Sequence, residues 1–173
     1  MNTQKTVAAF QRIYVKIMMA VVGRALVATS RSDDEVRKEL SILPSGYTMQ
    51  MLVPSGPGFM VKVEEQGHLT LVSDRTQKPD LSITFKHLSF AFLVFSFQES
   101  TARSFANDRM VLDGEVSHAI RLVRCLNKME AIILPRFVAR LAVKRYPRIS
   151  LGEKVSKAAR VYGLVAKHLV LGR

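Results

Sequence analysis

The sequence predicts an α+β fold: a five-stranded, mainly antiparallel sheet covered on one face by helices, with extra amphipathic helices at both termini. Two patterns carry this. Short segments in which apolar and polar residues alternate recur five times, the signature of strands with one wet and one covered face. Between and around them run longer segments with apolar residues three and four apart, the spacing of helices that bury one side. At 173 residues the chain is long enough for a substantial core.

Residues 6–28 read as a helix, with Val7, Phe10, Ile13, Tyr14, Ile17 and Val21 at helical spacing. Lys16 and Arg24 interrupt it, so it falls short of the roughly 20 apolar residues of a bilayer span. It reads as a docked or membrane-lying helix, although an acid-free, Arg-bearing start also has the composition of an organelle transit segment. Ser30–Ser32 followed by Asp33, Asp34 and Glu35 marks a helix start, with acids where the helix dipole favours them. Tyr47–Val53 alternates as a strand, and Pro54–Gly58 is a turn. Phe59–Glu64 and His68–Val72 form a hairpin about Gln66-Gly67. Leu81–Lys86 and Arg109–Asp113 complete the strands.

Residues 87–97 form a helix that is apolar nearly all round, and five of the nine phenylalanines lie between Phe85 and Phe97. Such a helix is buried or faces something other than water. A further helix runs from Gly114 to Met129, with Ala119, Leu122, Val123, Leu126 and Met129 on one side. Beyond it, Arg136–Tyr146 and Leu151–Leu171 read as basic amphipathic helices. Arg136, Arg140 and Lys144 are stacked four apart in the first; Val155, Ala158, Tyr162, Val165 and Leu169 form the apolar side of the second.

The segment Pro79-Asp80-Leu81-Ser82-Ile83-Thr84-Phe85, the apolar helix after it, and Asn107-Asp108-Arg109-Met110-Val111-Leu112-Asp113-Gly114-Glu115 leading into Ala119-Ile120-Arg121-Leu122 resemble the sterol-carrier-protein type-2 family of lipid-binding domains. The resemblance spans about residues 47–130. Ser96–Glu99 and Asn107-Asp108 stand where that family often places glycines. It implies a lipid carrier; no catalytic residues or cofactor are expected, because no polar group in this stretch has the company that chemistry would need. Its ligand would be a lipid, fatty acyl chain, sterol or isoprenoid quinone precursor. Bacterial relatives include accessory factors of ubiquinone synthesis, so a membrane-associated biosynthetic complex is an implied partner. The cavity is expected to be lined by Phe85, Phe90, Leu93, Phe97, Phe105, Leu112, Ile120, Val123 and Leu126.

Charge divides the chain into residues 1–31, 32–135 and 136–173. The first has five basic residues and no acid; the last has ten basic residues against Glu153 alone; the middle is nearly neutral. Arg12, Lys16, Arg136, Arg140, Lys144 and Arg145 are therefore expected to dock on an anionic membrane surface. Nucleic-acid binding through the basic termini is a third reading; nucleic acid is not the expected partner, because the aromatic-studded basic strand, helix-turn-helix punctuation and Cys-His finger are missing. A single cysteine, Cys125, leaves no internal disulfide and suits a reducing, cytoplasmic compartment. The four histidines have no metal-ligand spacing. His118 and Cys125 are placed by the helical period on a polar side with Arg121 and Lys128, where solvation explains them better than chemistry.

Overall fold

A computed structural model describes residues 2–74, 76–134 and 151–170. The chain runs α1 (Asn2–Ser32), α2 (Asp34–Leu40), β1 (Thr48–Leu52), β2 (Gly58–Val63), a 3-10 turn (Glu65–Gly67) and β3 (Leu69–Leu71). It continues through β4 (Leu81–Phe85), α3 (Leu88–Phe95), α4 (Thr101–Ala106), β5 (Met110–Asp113), α5 (Val116–Ile133) and α6 (Leu151–Val170). The strands lie in the order β3-β2-β1-β4-β5, antiparallel except for the central parallel pair β1–β4. The helix expected over Arg136–Tyr146 lies outside the described residues.

Register places Met49 and Met51 beside Val61 and Phe59 on one side and beside Leu81 and Ile83 on the other. Phe85 and Met110 extend this inner layer, and all eight side chains are buried. Thr48, Gln50, Lys62, Thr70, Ser82 and Thr84 fall on the opposite, wetter face, as alternation requires. The parallel pair is tied at its start by Asp80. Its carboxylate accepts from the Thr48 backbone N–H and hydroxyl, both at 2.8 Å, and its own N–H donates to Thr48 Oγ1 at 3.1 Å. Gly114, with φ +129°, follows β5 against this corner; an added Cβ would sit 2.7 Å from the Asp80 carbonyl oxygen. The backbone turn at Gly114 is thus forced by close approach as well as by φ.

The main cover of β2 and β3 is α1 rather than the helices after β4 and β5. Its buried stripe is Val15, Met19, Val22 and Leu26, spaced by four, three and four. This is a different face from the one picked out by Val7, Phe10, Ile13 and Ile17, which are each more than half exposed. By length and composition the segment Thr6–Ser32 could cross a membrane, but 56% of its most apolar window is buried inside the fold. Gly23 lets the helix settle on the sheet: a Cβ there would meet the Phe59 ring at 3.0 Å. At the far end Ser30 Oγ accepts from the Leu69 N–H at 3.0 Å, holding α1 to β3. Tyr14 donates to the Phe95 carbonyl at 3.2 Å and its ring meets Phe92 edge-on at 5.3 Å, which binds α1 to α3.

Helix α1 runs on to Ser32, so the cap of α2 is Asp33 rather than a serine. Asp33 Oδ1 accepts from the N–H groups of Glu35 and Val36, both at 3.1 Å, while Oδ2 takes Lys157 of α6 at 2.6 Å. Burial alone would raise this carboxyl; the Lys157 bond, the Val36 N–H and the nearby Lys128 charge outweigh it and hold Asp33 below the ordinary carboxylate range. Among the described side chains of α6, Val161 and Val165 are buried, with Ala158 and Leu164 packed beside them; Leu169 lies outside those described. Val155 and Tyr162, expected on the apolar side, are exposed, and Tyr162 instead donates to the Ile133 carbonyl at 2.5 Å.

Helix α4 is an element that periodicity did not reveal. Both α3 and α4 end in the same reversal, in which the N–H two residues past the cap bonds back into the last turn. Gln98 N–H reaches the Leu93 carbonyl at 3.0 Å and Arg109 N–H reaches Ser104 at 3.0 Å. The residue between cap and donor must be left-handed, and here it is Phe97 (φ +59°) and Asp108 (φ +56°). These are the two places where the resembling family often has glycine. Asp tolerates this region; for Phe it costs roughly 1–2 kcal/mol.

Two outcomes follow from this geometry. Phe97→Gly should be more stable than Phe97→Ala by about 1 kcal/mol, because both lose the ring and only Ala keeps the strained Cβ; chemical denaturation of the pair checks it. Asp33→Asn should keep the cap and lose the ion pair, costing roughly 1–3 kcal/mol at pH 7. Since the folded carboxyl titrates lower than the unfolded one, the wild-type advantage is present above about pH 4 and fades as pH falls through the folded pKa. Unfolding curves of the two proteins should therefore converge at low pH.

Candidate functional site

An apolar cavity of about 290 Å³ opens between the β4–β5 edge of the sheet and helices α4 and α5. Its floor is Ile83, Met110 and Leu112 from the inner face of the strands. One wall is Thr101, Ala102 and Phe105 of α4; the other is Val116, Ala119, Ile120 and Val123 of α5, with Arg124 after them. The spacing along α5 explains the wall: Val116, Ala119, Ile120 and Val123 recur at three and four, one helical face. Phe105, Val116 and Ile120 remain 53%, 62% and 50% exposed around the opening. Three large apolar side chains left half in water around one cavity is the pattern of a binding surface rather than of scattered surface residues.

Of the nine side chains expected to line a cavity, Phe105, Leu112, Ile120 and Val123 are brought together here. The other five are not. Phe85 is fully buried in the core, its ring 5.8 Å from that of Phe95. Leu126 is buried in the same core. Phe90 packs on the core beneath the Arg109 guanidinium, which lies 5.2 Å from the ring centroid, with His87 at its edge. Phe97 occupies the left-handed corner. Leu93 lies over a polar depression with Glu99, Arg103, Asn107 and Arg109. The reason is packing: α1 and α3 fill the space over the sheet on the Phe-rich side, so the hollow opens on the α4 side of that helix. Met110, Ala119, Val116 and Ala102 were missed; the short helix α4 that supplies one wall has no apolar period to announce it.

Glu99 is a buried acid that locks the α3–α4 link. It accepts from Asn107 Nδ2 at 2.8 Å and pairs with Arg109 at 2.7 Å. The basic residue at the start of β5 thus has a structural task, holding the loop from which α4 begins.

The face of α5 carrying His118, Arg121, Cys125 and Lys128 is covered rather than solvated. His118 Nδ1 is 2.9 Å from the Tyr47 hydroxyl and the two rings meet edge-on at 5.0 Å. Arg121 pairs with Glu39 of α2 at 2.8 Å, and Lys128 pairs with Glu35. Cys125 is 1% exposed, and burial, with Glu39 and Asp33 nearby, pushes its thiol up to about 12. A thiol so hard to ionise is no nucleophile. Further along, burial raises Glu130 to about 7. Among the described residues no cluster of His, Cys, Asp and Glu could hold a metal ion.

Arg12 and Lys16 are exposed on α1 beside the β1–β2 turn, where Arg12 donates to the Ser55 carbonyl at 2.9 Å. Arg136, Arg140, Lys144 and Arg145 lie outside the described residues.

No protein-family model matches the chain, and no curated protein does. Among solved structures it is similar to one described as "UbiJ-SCP2 Ubiquinone synthesis protein". That likeness has 8% identity and a TM-score of 0.41, over 73% of this chain and 98% of that one. It is similar to the apo form of sterol carrier protein 2 from Yarrowia lipolytica at 13% identity and TM-score 0.44, over 65% and 89%. The sterol carrier protein domain 2 of Helicoverpa armigera gives 15% and 0.40, over 67% and 84%. The chain resembles sterol-carrier-protein-2 domains, and at these identities the resemblance is one of fold alone.

Proposed function

We propose that this protein is a non-enzymatic carrier that holds a hydrophobic ligand in the cavity between α4, α5 and the β4–β5 edge. The ligand class is a fatty acyl lipid, a sterol or an isoprenoid quinone precursor. The carrying observation is the cavity itself, whose described lining is apolar but for Thr101 and Arg124 and whose opening is ringed by the half-exposed Phe105, Val116 and Ile120. Leaving those side chains wet costs stability, and a hydrocarbon tail would recover it. About ten methylenes at roughly 0.8 kcal/mol each give on the order of 8 kcal/mol before association costs, the scale of a useful affinity.

Exchange of such cargo takes place at a membrane. The exposed stripe Val7, Phe10, Ile13 and Ile17, with Arg12 and Lys16 on a helix free of acids, suits an anionic lipid surface. The same stripe would suit a subunit of a membrane-associated biosynthetic complex; an obligate hetero-complex that ignores vesicles would favour that reading.

The test is displacement of a fluorescent fatty-acid analogue. Wild-type protein should bind it, and Ile120→Trp, which fills the cavity from its rim, should bind at least tenfold more weakly with little change in thermal midpoint. Vesicle flotation completes the experiment: Arg12→Glu/Lys16→Glu should lose anionic vesicles while retaining the analogue. No binding by wild type, or full binding by the Trp variant, would sink the cavity reading.

A further inference from the structure

A second depression, of about 500 Å³, lies on the other side of the same stretch of α5. It runs between α2 and α5, and charged side chains share its lining with Val36, Ile42 and Cys125. Glu35, Lys38 and Glu39 come from α2, and Arg124, Asn127 and Lys128 from α5. Consecutive residues of α5 divide between the two hollows: Val123 faces the cavity and Cys125 the groove. Arg124, between them, lines both.

We infer that the cavity takes an amphiphile with an anionic head, a carboxylate or a phosphate, and that Arg124 at the seam of cavity and groove holds that head while the tail enters beside Ile120 and Val123. This rests on the cavity reading above and adds the chemistry of the head. Three observations point the same way.

The first is position: a tail seated among Phe105, Leu112 and Ile120 must end where the lining turns polar, and that is at Arg124 or Thr101. The second is availability. The neighbouring Arg121 holds Glu39 Oε2 at 2.8 Å, whereas Arg124 Nη1 reaches Glu39 Oε1 only at 3.4 Å, with 62% of its side chain exposed. Glu39 keeps a partner if Arg124 swings to a ligand, so no carboxylate is orphaned. Third is sign. Among the charged groove residues Lys38, Arg124 and Lys128 stand against Glu35 and Glu39, and Arg121 adds a fourth cation on Glu39. Lys128 is already paired with Glu35. The surplus is positive, and a planar guanidinium offers two parallel N–H groups to a carboxylate or phosphate.

The experiment compares dodecanoic acid with 1-dodecanol, and with dodecyl phosphate as a third arm, in competition with the fluorescent probe at pH 7.5 and physiological salt. The acid should bind at least tenfold more tightly than the alcohol in wild type. In Arg124→Gln that ratio should fall to within about twofold of unity, and in Arg124→Lys most of it should be retained. The phosphate arm tells a carboxylate-selecting head site from one that takes either anion. An acid-to-alcohol ratio near one in wild type, or a ratio that Arg124→Gln leaves unchanged, overturns the head-group assignment and leaves the apolar cavity standing. Failure of every probe to bind, or binding indifferent to Ile120→Trp, overturns the cavity reading and this inference with it.

Discussion

The structure depends on the burial of the second half of α1 against the hairpin β2–β3. One helix supplies Val15, Met19, Val22 and Leu26 to the core, approaches the sheet through Gly23, and is pinned at its end by Ser30 on Leu69. Everything else is arranged around the space it takes. Helix α3 finds room only beside it, and its phenylalanines become packing for α1 and the sheet. The hollow opens at the other edge, over β4 and β5, where its lining comes from the strands, the short α4 and the long α5 and not from α1.

The same constraint separates two kinds of apolar surface. The half of α1 beyond the sheet keeps a stripe of its own in water, offset around the helix from the buried one. The lining of the cavity keeps another. The side chains that stay wet, Val7, Phe10, Ile13 and Ile17 on α1 and Phe105, Val116 and Ile120 at the cavity rim, carry a cost in solvation that a surface or a ligand can relieve. In contrast, the charged residues between α2 and α5 are mostly matched, Glu35 with Lys128 and Glu39 with Arg121 and Arg124. Asp33 extends that network to α6. Pairing of this kind fixes α5 in place and leaves its other face available as a cavity wall.

Much of the fold was legible because it rests on local period. Alternation of side chains identified the five strands. What alternation cannot show is which strands are neighbours, so the parallel pairing of β1 with β4, set by Asp80 on Thr48, came only with the structure. The phenylalanine-rich helix shows the ambiguity at its sharpest. An apolar helix inside a core and one roofing a cavity have the same sequence, and what distinguishes them is the shape of the elements packed against it. Half of the cavity wall was visible in α5, where Ile120 and Val123 share a helical face. The other half sits on α4, six residues long, too short for any period. Cys125 and His118 were read as solvated because they follow a polar face; what covers that face, α2 over Cys125 and Tyr47 over His118, lies more than 70 residues earlier in the chain.

The central claim is that the space between α4 and α5 is kept for a hydrocarbon ligand. Native mass spectrometry of the freshly purified protein, followed by solvent extraction and identification of what is released, tests it most directly. The account predicts a bound species of lipid mass, present at a substantial fraction of one per chain and lost from Ile120→Trp. A wild-type protein that carries nothing, and takes up nothing when offered total membrane lipid extract, would contradict it.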